Sequence, residues 1–297
     1  MENQISVSES VQDMYTRYPF PPVERRNAYQ NHAKFVRSVL ENLGIKLQGA
    51  RFGDIACGTG CMLTDYAREF PEVSFQGWDL SPESLKIAKS FLTEERLTNA
   101  QVDELNIMEL EVVDSFDYIV SWGTIHHLEN SQEGVRRLCR ALKVGGVLRT
   151  GVYGYYGNRE RRLQQEFIDT LIPDKSEFQE RITAVKELAQ VCPGFATQFT
   201  EPPVELDSDN WVVDEFLHVW EKHIKLVDLV QWLQDNNMEV KLFTDFYDQE
   251  IPLDIAKHTT NTDFINRVRS LPFVKQCAVI ELLTRPYWLS VIAQKVE

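Results

Sequence analysis

The chain has 297 residues, is 43% apolar and 26% charged, and carries a net charge of −14. A chain of this size and polarity buries a sizeable core in one large or two small domains, and its acidity excludes tight binding to a nucleic-acid backbone, which needs a basic footprint. No run of about eighteen apolar residues is present, so no membrane helix is expected; five cysteines without a C-x-x-C pair, behind a polar MENQISVSES start, fit reduced thiols in the cytoplasm.

Residues 1–30 precede any sheet. SESVQDMYTRY has the pattern of a short helix capped by Ser8 or Ser10. It runs into YPFPP, Tyr18–Pro22, where prolines impose a stiff extended segment. Tyr15, Tyr18 and Phe20 either staple this tail to the core or cap a ligand site. Asn27–Leu43 is amphipathic and helical. LQGARFGDIA ends as a strand, DIACGTG (Asp54–Gly60) is a glycine turn, and CMLTDYAREF is a helix with Met62, Leu63, Tyr66 and Phe70 on one face. Strand, glycine turn and helix in this order make a nucleotide site, because glycines permit close backbone approach and the helix start offers free N–H groups. Leu63 stands where a dinucleotide fingerprint needs a small residue, and no Gly-Lys-Ser/Thr follows, so neither NAD nor a Walker-type phosphate site is expected. Val73–Ser81 reads as a second strand ending in Asp79, at the spacing of an acid that accepts ribose hydroxyls. Asn99–Leu110 is a third strand, Phe116–Asn130 a fourth with its loop, and VRRLCRALKVGGVLRTGVY a helix and fifth strand. This alternation predicts a parallel sheet covered on both faces.

The rhythm changes at Gly154. Residues 154–223 read as helices broken by Pro173 and Pro193, with no place in the sheet; an insert after the fifth strand lies over the strand C-termini, as a lid. Ile224–Asn237 returns to clean helical spacing, with Leu226, Leu229, Val230 and Leu233 on one stripe. MEVKLFTDF and YWLSVIAQKV read as two further strands around another helical insert. The expected fold is α/β: a doubly wound, seven-stranded, mostly parallel sheet. It divides into an N-terminal cap (1–30), a cofactor-binding core (31–153), a helical lid (154–223) and a C-terminal part that completes the sheet (224–297).

The pattern D-x-A-x-G-x-G resembles motif I of the class I S-adenosylmethionine-dependent methyltransferases, with Ala56 in place of the family's first glycine. Asp79, the turn after the third strand and the loop after the fourth match in order and spacing, from roughly Ala33 to Tyr153. The resemblance implies S-adenosylmethionine as cofactor. It places Asp54, Ala56, Cys57, Gly58 and Gly60 around it, Asp79 and Leu80 at the ribose, and Asn106 and Ile107 at the adenine, with Asn106 where the family has aspartate. Ser121, Trp122 and His127 follow along the fourth strand and its loop. It also implies that the last strand is antiparallel and inserts between the fifth and sixth.

Methyl transfer from a sulfonium needs mainly proximity and alignment; a base is required only when the nucleophile arrives protonated. His126, beside the expected methyl, and His218, four residues after Asp214 and so on its face of a helix, are the candidate bases. Tyr15, Tyr18, Tyr153, Tyr156 and His218 are expected to converge on a substrate pocket. The loops after the fourth and fifth strands offer no carboxylate cluster, and adjacent His126 and His127 should point apart, so no metal is expected. The expected activity is a soluble methyltransferase acting on a small molecule, with neither nucleic acid nor membrane as partner. A peptide or protein methyltransferase, and a cofactor-binding protein without turnover, are the alternatives.

Overall fold

The computed structural model describes residues 6–192, 195 and 206–296. Helix α1 (Val7–Arg17) is capped by Ser6 rather than by Ser8 or Ser10. The Ser6 hydroxyl accepts the Glu9 N–H at 3.2 Å while the Glu9 carboxylate accepts the Ser6 N–H at 2.8 Å, so two orphan donors are satisfied reciprocally. Helix α2 (Gln30–Asn42) buries Ala33, Val36 and Leu40 at helical spacing. There follow β1 (Arg51–Ile55), α3 (Cys61–Glu69), β2 (Ser74–Asp79), α4 (Pro82–Glu94), β3 (Ala100–Glu104), β4 (Phe116–Trp122), α5 (Ser131–Ala141) and β5 (Leu142–Tyr153). Three helices come next, α6 (Arg159–Leu171), α7 (Phe178–Val191) and α8 (Asp209–Phe216), then α9 (Leu226–Gln234), β6 (Met238–Thr244), α10 (Thr262–Arg269), α11 (Phe273–Thr284) and β7 (Trp288–Lys295).

The sheet order is β3-β2-β1-β4-β5-β7-β6. β7 runs antiparallel to both β5 and β6 and the other pairs are parallel, which is the α/β arrangement the sequence implies. The order reverses between β1 and β4, and such a fold leaves its ligand crevice at the strand C-termini there. Each face of the sheet has its own apolar layer. Phe52, Leu63, Tyr66 and Phe70 pack on one side under α2, α3 and α4; Ile119, Leu138, Leu229 and Leu289 pack on the other under α5 and α9. Each such side chain contributes about 1.5–3 kcal/mol by leaving water. A separate cluster lies between α6, α7 and α8, built on Ile168, Phe178, Ile182, Val212 and Phe216, and α1 inserts Met14 into it. The cap therefore packs on the lid as well as on the sheet.

Candidate active site

The glycine turn is held from below by the β2 end: the Ala56 and Cys57 N–H groups both donate to the Trp78 carbonyl, at 2.7 and 2.9 Å. Asp79 fastens it from the side. Its Oδ2 accepts the Gly58 N–H and its Oδ1 the Ser81 N–H, each at 2.8 Å. Each oxygen keeps a further acceptor site, so Asp79 can hold the turn and still receive ribose hydroxyls. Ala56 has φ 65, the left-handed conformation that glycine adopts freely, at a strain of roughly 1–2 kcal/mol for alanine. Gly58 is required by close approach: a Cβ there would lie 2.2 Å from the Phe20 carbonyl oxygen. The YPFPP leader clamps this turn. Thr59 donates its N–H to Phe20 O at 3.0 Å and its hydroxyl to Pro21 O at 2.6 Å, while the Phe20 ring stacks on Trp211 in α8, centroids 5.1 Å apart.

A single cavity extends from this turn to the lid. Of the expected cofactor residues, Asp54, Ala56, Cys57, Gly58, Asp79, Leu80, Ile107, Trp122 and His127 line it. Gly60, Asn106 and Ser121 do not. A Cβ on Gly60 would meet that of Ala88 at 2.7 Å, so Gly60 permits the packing of α3 on α4. The Asn106 side-chain oxygen accepts the Met108 N–H at 2.8 Å and caps the turn that follows. Ser121 is buried inside the sheet. Of the expected substrate residues, Tyr15 and Tyr153 line the cavity. Tyr18 packs on Phe178 in the lid core, centroids 5.3 Å apart, and Tyr156 packs against Tyr155. Aromatic residues the sequence did not single out, Phe246, Tyr287 and Trp288, close the far wall, and Arg161 and Glu215 close the lid end.

The histidines are arranged differently from expectation. α8 ends at Phe216, so Asp214 and His218 share no helix face; Tyr15 joins them instead. Its hydroxyl is 2.8 Å from Asp214 Oδ1 and 3.2 Å from His218 Nε2, while His218 Nδ1 accepts the Trp220 N–H at 3.1 Å. This network sets the tautomer: His218 donates from Nε2 to Tyr15, and Tyr15 donates to Asp214. Neither His218 nitrogen has a lone pair to spare. Its ring stacks on His127, 3.6 Å between centroids, and stands behind that ring rather than in the cavity. His126 is fully buried with both ring nitrogens unpartnered among the described residues, and packs on Tyr153. Burial pushes the pKa of His126 and of His218 well below the ordinary imidazole value. Neither lines the cavity, so neither is placed as a base. The histidine that faces the cavity is His127, whose Nδ1 lies 3.2 Å from the Trp220 carbonyl; burial lowers it to about 4.

Arg161 organises the lid end. Fully buried, it pairs with Glu215 and with Glu221 and lies over the Tyr153 ring, 4.0 Å from its centroid. His126, His127 and Glu221 bring ligand atoms within 4.8 Å of one another, so the adjacent histidines do not point apart as their sequence adjacency predicts. Glu221, however, already accepts Arg161 Nε and Nη2 at 3.1 and 3.0 Å, Gln165 at 3.0 Å and His223 at 2.8 Å. Three of these bonds fall on Oε1, and the guanidinium paired with Oε2 is what opposes a cation there.

Residues 54–148 match the Methyltransf_12 model, a methyltransferase domain. Over those residues the chain is similar to a methyltransferase domain, and its sheet has the class I methyltransferase fold. It is 25% identical over 259 residues to an uncharacterized protein of Synechococcus sp., covering 81% of this chain and 61% of that one. It is 29% identical over 133 residues to demethylmenaquinone methyltransferase of Listeria monocytogenes, covering 43% and 56%. The chain thus spans less than two thirds of the length of these relatives. The structure of PKMT2 from Rickettsia typhi in complex with AdoHcy superposes with a TM-score of 0.65 over 89% of this chain and 52% of that one, at 18% identity, and shows the same fold. S-adenosylmethionine is the cofactor of methyltransferase domains of this kind. The residues here fit it: the turn offers close backbone approach, Asp79 has acceptor capacity beside it, and the buried Asp54 Oδ2 has no partner among the described residues.

Proposed function

We propose that the protein is an S-adenosylmethionine-dependent methyltransferase that methylates a small-molecule nucleophile by in-line displacement under the lid. The observation that carries this reading is the continuity of one cavity from Gly58 and Asp79 to Asp214 and Trp288. The cofactor supplies an activated methyl group; the protein holds and aligns. Asp79 receives the ribose, Leu105 and Ile107 offer an apolar slot for the adenine, and Trp122, His127 and Tyr153 surround the reacting end. The cap, the lid and the segment before β7 enclose a substrate and exclude water. Unpaired cysteines at all five positions support a cytoplasmic setting, and among the described residues no helix is long and apolar enough to cross a membrane.

A second reading, a peptide or protein substrate, is favoured by one observation: the Rickettsia protein that shares the fold over most of this chain is a protein lysine methyltransferase. The test is calorimetric titration with S-adenosylhomocysteine, then incubation of the protein and methyl-labelled cofactor with a small-metabolite extract or, separately, a proteome. Binding followed by label in small molecules is expected. Label confined to protein overturns the small-molecule reading. Binding without any labelled product leaves a cofactor-binding protein, and no binding removes the methyltransferase reading altogether.

A further inference from the structure

We infer that the nucleophile is an amine, received by the Asp214 carboxylate inside an aromatic wall at the lid end of the cavity. This rests on the methyltransferase reading above and adds to it the chemical class of the substrate.

The charges at the lid end do not balance. The side chains of Asp214, Glu215 and Glu221 are buried beside Arg161, and among the described residues the other basic partner in reach is His223, 2.8 Å from Glu221. The guanidinium pairs with Glu215 and Glu221, but toward Asp214 it reaches only the backbone carbonyl, at 3.1 Å. The Asp214 side chain has one neutral donor, the Tyr15 hydroxyl on Oδ1 at 2.8 Å, and among the described residues no donor reaches Oδ2. Burial keeps His127 and His218 neutral, and His223 is directed at Glu221 rather than at Asp214. A carboxylate that is 5% exposed and lacks a counter-ion is costly to desolvate. Burial first, and then the Glu215 charge, push Asp214 up to about 8, so it keeps a proton until a cation arrives.

Aromatic rings line the same cavity as Asp214, with Arg161 already over one face of Tyr153 at 4.0 Å and Arg149 over one face of Trp122 at 4.4 Å. Tyr153 and Trp288 stand edge to face at 5.3 Å, Trp288 and Trp122 are 5.0 Å apart, and Phe246 lies 5.4 Å from Trp288. Such rings attract an ammonium group over their faces. An anionic nucleophile would meet Asp214 and Glu215 instead. An alcohol would need a strong base, and the two histidines once expected to serve stand outside the cavity. For an amine the chemistry closes with what is present. As the ammonium binds, Asp214 releases its resting proton to solvent, and the resulting carboxylate then takes a proton from the ammonium. The freed nitrogen lone pair forms the N–C bond as the C–S electron pair leaves with sulfur, and the product is a methylated ammonium beside a neutral thioether.

The test uses the full chain loaded with S-adenosylhomocysteine and reads binding by quenching of the cavity tryptophans. Benzylamine, benzyl alcohol and phenylacetate share a skeleton and differ in charge. Benzylamine is expected to bind at least about tenfold more tightly than the other two. D214N should abolish that preference and leave S-adenosylhomocysteine affinity within about twofold, because an amide oxygen still accepts from Tyr15. Equal binding of the three probes, no benzylamine binding, or a preference that survives D214N overturns the inference; the wild-type comparison decides it even if the variant does not fold. Failure of the unmodified protein to bind S-adenosylhomocysteine overturns the methyltransferase reading first, and this one with it.

Discussion

The two ends of the cavity are built on different principles. At the glycine-turn end, partners are close in sequence and the polar groups are backbone N–H to carboxylate, as between Gly58 and Asp79, 21 residues apart. At the lid end, partners are distant and charges face charges or aromatic rings. Tyr15 meets Asp214 across 199 residues, and Arg161 meets Glu215 across 54. The first end is a local motif that folds with its strand and helix. The second exists only once cap, lid and sheet have assembled, and its stability depends on buried charges finding one another.

That contrast can be broken from the lid end first. Arg161→Met removes the guanidinium between Glu215 and Glu221 and should cost about 3–5 kcal/mol of stability in urea unfolding. In the variant Glu215 keeps only the Tyr153 hydroxyl and Glu221 keeps Gln165 and His223, so without the guanidinium the folded pKa values of both carboxyls rise above those of the unfolded chain. The deficit is therefore smallest near pH 4 and grows as pH rises toward 8. A deficit under about 1 kcal/mol at pH 7 would mean that the charge cluster is solvated. At the turn end the expected loss is in affinity. Asp79→Ala removes a charged acceptor worth about 2–3 kcal/mol, a roughly 30- to 150-fold weaker S-adenosylhomocysteine complex by calorimetry. Unchanged affinity in a folded variant would show that the ribose lies elsewhere.

Asp54 sharpens the comparison through pH. Burial and the Asp79 charge raise it to about 8, above its value in the unfolded chain. Its contribution to stability is full below about pH 4 and is lost as pH rises through 8. Asp54→Asn should escape that loss, so the melting-temperature difference, variant minus wild type, should grow from pH 5 to pH 9; a flat difference refutes the buried acid. The smallest effect is expected at Asn106. Because its oxygen caps a turn, Asn106→Leu should cost about 1 kcal/mol of stability and leave cofactor affinity within about twofold. A larger loss of affinity would return Asn106 to the adenine site.

What the sequence made legible follows the same division. The strand–turn–helix around Asp54–Gly60 and the acid at Asp79 were readable because each is fixed by local patterning and spacing; the insertion of β7 was legible only through the family resemblance. His218 was misread because helix spacing was extended two residues beyond the actual end of α8. His126 was misread because adjacency on a loop says nothing about which ring turns inward. Phe246, Tyr287 and Trp288 carried no signal, since aromatic residues at strand ends serve the core as often as a site. Arg161 was legible only as one arginine in the run Arg159–Arg162, and its burial follows from two glutamates more than fifty residues away.

The antiparallel strand β7 has a consequence for how the protein is made. It is an interior strand, paired on one side with β5 and on the other with β6, yet it is the last of the seven to leave the ribosome. Strands β1 to β5 can pair with one another as they emerge. β6 has no neighbour until β7 arrives between it and β5, and Trp288 reaches the cavity wall only then. A chain stopped before Trp288 therefore keeps a nearly complete nucleotide half, lacks its substrate wall, and presents bare edges on both β5 and β6. Such a species is one that unpaired strand edges make prone to aggregate, so a stop codon before Trp288 should be read out as insolubility before it is read out as inactivity.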